Sequence, residues 1–455
     1  MTVAIGLDLG LDTVRVTALV DDRPVAVTAF PAAVGLDGAQ VRVGRRALAL
    51  PPERRVVDGT AAERLGWLVR AAVLAVEAEH GPVLGAVVPV APGLGAVERR
   101  VVHDAAIIAG LPAVRLCAAP VAIAMALPAA PDGRWLVADA GAAALSVTVL
   151  ERSLGAIDRL ATVVEPALGG RALDRVIAEH LARGLDLAGE PPPPLVAAAA
   201  ALRAHLGDAA AAEAAFASAL AGAAPPLAGL RPPRRDELEL WLAPRVRKLD
   251  DACARALAAA GCAAHDLGEV VLAGGGARSA ALARRLGQVM GRPARLPTDP
   301  GFAAALGAAS LARLFVAEPA ALVVDVLRHG LALASDDDPR SLIAAGTVLP
   351  TRETLLLPTG RDEQTALELE LWEETAPPRA LGRWRLAGLP AAPAGDALAA
   401  CSVTVDVDGL PRVSATELVS GLPLTVTPLP EPGVDSGLDA ATLAACRAAV
   451  EAWQP

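Results

Sequence analysis

The 455-residue sequence has no tyrosine, and its aromatic share is only 2%. Platforms on which bases could stack are therefore scarce, which argues against nucleic-acid recognition through aromatics. A net charge of -10 argues against a phosphate-backbone partner as well. Lysine is nearly missing, with Lys248 the single example. The five cysteines (Cys117, Cys253, Cys262, Cys401, Cys446) form no Cys-x-x-Cys pair, so reduced thiols are expected rather than a disulfide framework. The six histidines lie far apart without metal-binding spacing, and no metal-ligand motif is read from them. No segment has the length and unbroken apolarity of a membrane span, and the N-terminus lacks a basic region before an apolar one. The expectation is a soluble cytoplasmic protein without nucleic-acid or membrane partners.

What is present is the texture of a globular chain, 54% hydrophobic and 20% charged, long enough for two or three domains. Val3–Leu9 is apolar, and Val14–Val20 and Val25–Phe30 flank Asp21-Asp22, the pattern of strands and a hairpin. Ala61–Glu79 and Ala96–Ala109 carry apolar residues at helical intervals. Trp135–Ala138 and Leu145–Leu150 read as a second hairpin around Asp139-Ala140-Gly141. Helices are expected from there to about residue 310, interrupted by a strand at Val270–Ala273. Pro191–Pro194 reads as the rim of a loop and Ala209–Ala223 as an Ala-rich helix. Hairpins alternating with helices around Asp- and Gly-containing loops imply an α/β domain.

After Glu318-Pro319 the runs shorten and alternate: Leu322–Val326, Leu355–Leu357, Leu367–Trp372, Trp384–Leu386 and Val403–Val407. That texture predicts an all-β sandwich, closed by a short helix over Leu438–Trp453.

Four groups of residues then occur in a telling order. Ile5-Gly6-Leu7-Asp8-Leu9-Gly10 opens the chain, and Val87–Val90 is followed by Glu98-Arg99-Arg100 and Ala109-Gly110-Leu111. Val270–Arg278 reads Val-Val-Leu-Ala-Gly-Gly-Gly-Ala-Arg, with the helix Ala303–Ala309 beyond it. Leu322-Val323-Val324-Asp325-Val326 leads to Val348-Leu349-Pro350-Thr351, Leu389–Gly395 and Val413-Ser414-Ala415. In turn these resemble the first phosphate loop, the strand–helix unit ending in Ala-Gly-Leu, the adenosine loop with the helix after it, and the hydrophobic linker running into the peptide-binding sandwich of the 70-kilodalton heat-shock chaperones of the DnaK type.

The resemblance implies an α/β actin-like two-lobed ATPase domain followed by an all-β peptide-binding-type sandwich. The expected divisions are 1–316 for the nucleotide-binding domain, 317–329 for the linker and first strand, 330–430 for the sandwich and 431–455 for the terminal helix. It further implies ATP or ADP with Mg²⁺, in weakened form, held by Asp8, Gly10, Thr13, Asp139, Gly141, Gly169, Gly170, Arg203, Gly274, Gly275 and Arg278. Asp8 and Asp139 would be the catalytic carboxylates. Leu322, Val323, Val324 and Asp325 would form the linker. Leu331, Leu333, Leu357, Leu367 and Leu369 would line the cleft for an unfolded or extended polypeptide. Leucines at 367 and 369 fall on one face of a strand and equally suit a sandwich core.

The departures from the family pattern are as informative. Leu11-Asp12 replaces the Thr-Thr after the first loop, and Ala142-Ala143-Ala144-Leu145-Ser146 replaces Gly-Gly-Thr-Phe-Asp in the second. Ala119 stands where the resemblance implies a catalytic Glu before Pro120. The catalytic lysine has no counterpart: Lys248 lies in the wrong lobe, and Arg54 or Arg55 is nearest the expected region. On the adenine side Ala200 and Ala204 replace charged contacts and leave Arg203. Loss of one preorganised group typically costs about 10²–10³ in rate, so hydrolysis is expected to be weak or lost. The alternative is a nucleotide-independent pseudo-ATPase scaffold for a dedicated protein partner. A small-molecule kinase of the wider actin-like clan is disfavoured by the linker and sandwich. Ser335-Asp336-Asp337-Asp338-Pro339 would place acid on an arch over the peptide cleft, favouring basic segments. The family's long helical lid has no counterpart beyond Leu438–Trp453.

Overall fold

In a computed structural model, residues 2–38, 40–55, 59–127, 131–153, 156–205, 209–223, 225–315, 322–334, 340–429 and 438–453 are described. They form two units that do not follow chain order: 1–32, 75–92 and 118–323, and then 33–74, 93–117 and 324–455.

The first unit is built on one strand pattern used twice. Val3–Leu9, Thr13–Val20 and Arg23–Pro31 form an antiparallel meander, and Val83–Val90 adds parallel to the first of them. Gly133–Ala140, Leu145–Ser153 and Ala156–Glu165 repeat the meander, and Leu267–Ala273 adds parallel to its first strand. The first hairpin turns on Asp21 and Asp22, both at positive φ (47° and 60°), as a two-residue turn matching strand twist requires.

Alternation along the second meander sends its side chains to two cores. Leu136, Ala138, Val147 and Val149 pack with Leu173, Ile177, Leu195, Phe216 and Leu249 from the helices on one face. Trp135, Val137 and Ile157 pack with Ile123 and Ala303 on the other. A sheet covered on both faces is the α/β architecture the sequence predicts.

The helix Ala303–Leu311 is wedged tightly against its neighbours because its sequence, Ala-Ala-Ala-Leu-Gly-Ala-Ala-Ser-Leu, is almost bare of bulk. A methyl group added at Gly6 would overlap the Ala305 carbonyl, and one added at Gly307 would overlap the Ala122 carbonyl. Thr17 locks the seat by donating to the Ala305 carbonyl at 2.7 Å. This packing fixes the strand that ends in Asp8.

The second unit contains the sandwich. One sheet runs Arg340–Ile343, Leu331–Leu333, Ala366–Glu373, Arg379–Ala387, Thr425–Leu429, and the other Thr351–Pro358, Leu398–Val405, Pro411–Glu417. Its interior is leucine and valine, including Leu331, Leu371, Leu386, Val403 and Val405, and it takes in Ala96 and Val97 from the helix Ala96–Ile108. The terminal helix Ala440–Glu451 is capped by Asp439, which accepts from the Thr442 amide at 2.7 Å. Beyond it Trp453 meets Trp67 edge-on at 5.8 Å and donates to the Val41 carbonyl at 3.0 Å. Among the described residues, no helix is long and apolar enough to cross a membrane.

Three expectations need correction. Ala156–Glu165 is a strand inside the stretch read as helical. Pro193 and Pro194 do not rim a loop but begin the helix Pro193–Ala204, where a missing N–H costs nothing. Val34–Asp37 and Gln40–Val43 form a small hairpin that the sequence reading passed over. The acidic run 335–339 lies outside the described residues, as do 317–321 of the linker segment.

Candidate functional site

The two meanders bring their first strands to equivalent ends, Asp8 on one and Asp139 on the other. Register sets what stands opposite each carboxylate. Arg15 faces Asp8 directly across the antiparallel pair, and Ser146 faces Asp139. Arg15 Nη1 donates to Asp8 Oδ2 at 3.4 Å, the two side chains being 20% and 21% exposed.

Three glycines surround that guanidinium. A Cβ at Gly10 would lie 3.7 Å from Nη1, one at Gly275 4.0 Å from Nη2, and one at Gly301 3.5 Å from Nε. Gly274 holds φ +82°, and any side chain there would meet Asp139 Oδ1 and the Ala140 carbonyl. Thus Asp8, Gly10, Asp139, Gly274 and Gly275 come together as the sequence reading grouped them, with Arg15 among them.

Burial lifts the Asp139 carboxyl from 3.8 to about 6, the Asp8 charge adds to this, and Arg15 opposes it. Asp8 is raised by burial too, against the pull of Arg15. The folded state therefore holds a proton on Asp139 up to about pH 6, where the unfolded chain would release it near 3.8. Between these values the folded state binds more protons, so stability falls as pH rises, and the full penalty applies above about 6. Asp139→Asn is expected to stabilise the protein by up to about 3 kcal/mol at neutral pH. The gain should vanish below 3.8; urea unfolding across that pH range measures it.

The remaining loops are closed by their own groups. Gly170 N donates to the Gly141 carbonyl at 2.9 Å and Arg171 N to the Ala142 carbonyl at 2.9 Å. These are the first amides of the helix Gly170–Arg183, which would otherwise suit an anion. Arg171 reaches back to Asp12 with Nε at 3.0 Å and Nη2 at 2.7 Å, and Nη2 also donates to the Leu11 carbonyl at 3.2 Å. Arg203, expected to meet an adenine, is held by Asp174 through Nε at 2.5 Å and Nη2 at 3.0 Å. Ala119, in place of a catalytic Glu, is buried in the helix Ala119–Met125. Thr13 opens the strand after the first loop, and Arg278 closes the short turn after Gly274. Arg54 pairs with Asp37 at 3.7 Å, and Arg55 donates to the Leu50 and Leu48 carbonyls, both at 2.8 Å. Among the described residues, no three His, Cys, Asp or Glu side chains cluster to hold a metal ion.

The second unit holds a buried polar knot at the end of the linker. Leu322–Val324 is a short strand. Asp325, 7% exposed, accepts from Arg99 Nη2 at 3.1 Å, and Arg99, 3% exposed, also donates from Nη1 to the Asp408 carbonyl at 3.0 Å. The Asp408 carboxylate accepts from Leu116 N at 2.8 Å and Arg115 Nε at 3.1 Å. Glu373, also buried, accepts from the Ala96 amide at 2.9 Å. The linker motif marks Asp325 in the sequence, but nothing near it in the chain marks Arg99 or Asp408 as belonging beside it.

Of the five leucines proposed for a peptide cleft, Leu331, Leu333 and Leu369 are buried in the sandwich interior. Leu357 and Leu367, on opposite sheets, pack against that interior while staying partly open.

Comparison with known proteins agrees with this architecture. A family model described as Hsp70 protein matches residues 67–428. The chaperone protein HscA of Shigella boydii serotype 18 is 30% identical over 374 residues, covering 80% of this chain and 60% of that protein. HscA of Escherichia coli O139:H28 is 31% identical over 374 residues, with coverage of 80% and 60%. The chain thus matches 60% of the length of these relatives.

Proposed function

This chain belongs to the Hsp70 family, and from that premise we propose that it is a polypeptide-binding chaperone whose nucleotide domain works with little or no ATP turnover. The observation that carries the reading is the internal pairing of the cleft. Arg15 with Asp8, Arg171 with Asp12 and Arg203 with Asp174 satisfy within the chain the charges that a nucleotide would otherwise meet. The Glu, Thr and second Asp that the family pattern carries are replaced by Ala119, Ala144 and Ser146.

The polypeptide side of the proposal rests on the sandwich. An extended segment would take backbone hydrogen bonds from strand edges and set alternate side chains into apolar depressions. Leu357 and Leu367 are the partly open apolar groups of the proposed set, and Leu331, Leu333 and Leu369 support them from the core. The Arg99–Asp325 pair would anchor the end of the linker Leu322–Asp325.

A second reading, a nucleotide-independent scaffold for a dedicated partner, is favoured by the Asp12–Arg171 pair. It ties the first loop to the start of the helix Gly170–Arg183 through groups of the chain alone. Two assays separate the readings. Fluorescence anisotropy with extended leucine-containing peptides should give saturable binding, reduced by Leu367→Asp, while single-turnover phosphate release stays at the buffer background. Absence of saturable peptide binding would remove the chaperone reading and leave the scaffold. Phosphate release well above background, abolished by Asp139→Asn, would contradict both.

A further inference from the structure

We propose that Arg15 is a resident cation that takes the place of a divalent metal ion between Asp8 and Asp139. The argument begins with register. Arg15 stands on the strand Thr13–Val20 directly across from Asp8, where opposite charges stabilise an antiparallel pair. Its neighbours Val14 and Val16 are fully buried on the other face, so alternation commits Arg15 to the face shared with Thr17. The backbone therefore offers the guanidinium no easy route out of the loops.

Charge accounting points the same way. Two nearby carboxylates repel unless a positive charge stands near both. Arg15 acts on both: it donates to Asp8, and its charge counteracts the burial of Asp139. Among the described residues its one protein acceptor is Asp8, so its other N–H groups remain directed into the ring of Gly10, Gly275 and Gly301. A hydrated divalent ion needs open oxygen ligands and room for its waters. Here one carboxylate is already bonded to a guanidinium, and that planar group, always charged, fills the approach. Asp8 is thus already paired within the chain, Arg15 offsets part of the charge of Asp139, and Mg²⁺ has no role in the cleft.

This inference rests on reading the cleft as descended from a metal–nucleotide site, and not on polypeptide binding, so failure of the peptide assay leaves it intact. The test uses the full chain and Mn²⁺ alone, followed by electron paramagnetic resonance. The native protein should show no saturable site at millimolar Mn²⁺, and Asp8→Asn/Asp139→Asn should leave that result unchanged. Arg15→Ala should gain one Mn²⁺ site per chain, lost again in Arg15→Ala/Asp139→Asn, and its melting temperature should rise by a few degrees when Mg²⁺ is added. Arg15→Lys, which keeps a cation, should fold and bind no metal, and it carries the test if the alanine variant does not fold. Any thermal shift given by ADP should be equal in Mg²⁺ and in EDTA. A native Mn²⁺ site removed by Asp139→Asn would overturn the proposal. So would a folded Arg15→Ala that binds no Mn²⁺, or an ADP shift that grows with Mg²⁺.

Discussion

Replacing Arg99 by alanine should destabilise the unit that holds the sandwich by about 3–5 kcal/mol, the cost of breaking a buried ion pair from one side. Arg99 and Asp325 are both nearly inaccessible, and Arg99 also satisfies the Asp408 carbonyl. Without the guanidinium, the Asp325 carboxylate keeps the Val326 amide at 2.9 Å and loses the Arg99 charge 3.1 Å away. Asp325→Asn should cost less, because an amide can still accept from Arg99. The double change Arg99→Met/Asp325→Leu should recover much of the loss, since a matched apolar pair removes both desolvation penalties. Urea unfolding, with the tryptophan signal as reporter, measures all three. A loss in the double variant as large as the sum of the two single losses would show that the pair does not couple the two side chains.

The second large effect is expected in the first unit, at Gly307. Alanine there would drive its methyl into the Ala122 carbonyl, on a helix pressed on its opposite side against Gly6. Backbone meets backbone on both sides, so no flexible side chain can yield. The cost should be at least about 3 kcal/mol, the upper end of overpacking. The loss should appear as a lower melting temperature and faster proteolysis between residues 119 and 125. Gly229→Ala, where nothing lies within 4 Å of the added methyl, is the control and should be nearly neutral.

How much of this was legible beforehand depended on sequence separation. Strands that alternate and turn locally could be read: Asp21-Asp22 announced the first hairpin, and Gly-Gly-Gly-Ala-Arg after Val270–Ala273 announced a loop. The strand Ala156–Glu165 could not, because most of its residues are only partly buried and no strict alternation marks it. Pro193 was read as a breaker although proline suits the first turn of a helix.

The site divides in the same way. Glycines and carboxylates at the ends of strands carry a pattern that survives in one dimension, so Asp8, Asp139 and Gly274 were named from it. The pairings that define their state do not. Arg171 lies 159 positions from Asp12, and Arg99 lies 226 from Asp325. One signal for Arg15 was present: a charged residue between Val14 and Val16 in an otherwise apolar strand, at the position opposite Asp8. Periodicity marks it as anomalous, and only the register identifies its partner. The five leucines show the converse limit. Spacing placed Leu367 and Leu369 on one face, but burial alone separates Leu369, in the core, from Leu367, partly open.

The proposal is that this Hsp70-family chain holds polypeptide without an ATP-driven cycle, the charges of its cleft being paired within the chain. The most direct measurement is the release rate of a bound fluorescent peptide from the full chain, with and without ATP and Mg²⁺. The account predicts the same rate in both, with native protein and with Asp139→Asn alike. Release accelerated severalfold by ATP with Mg²⁺, and unresponsive in Asp139→Asn, would contradict it.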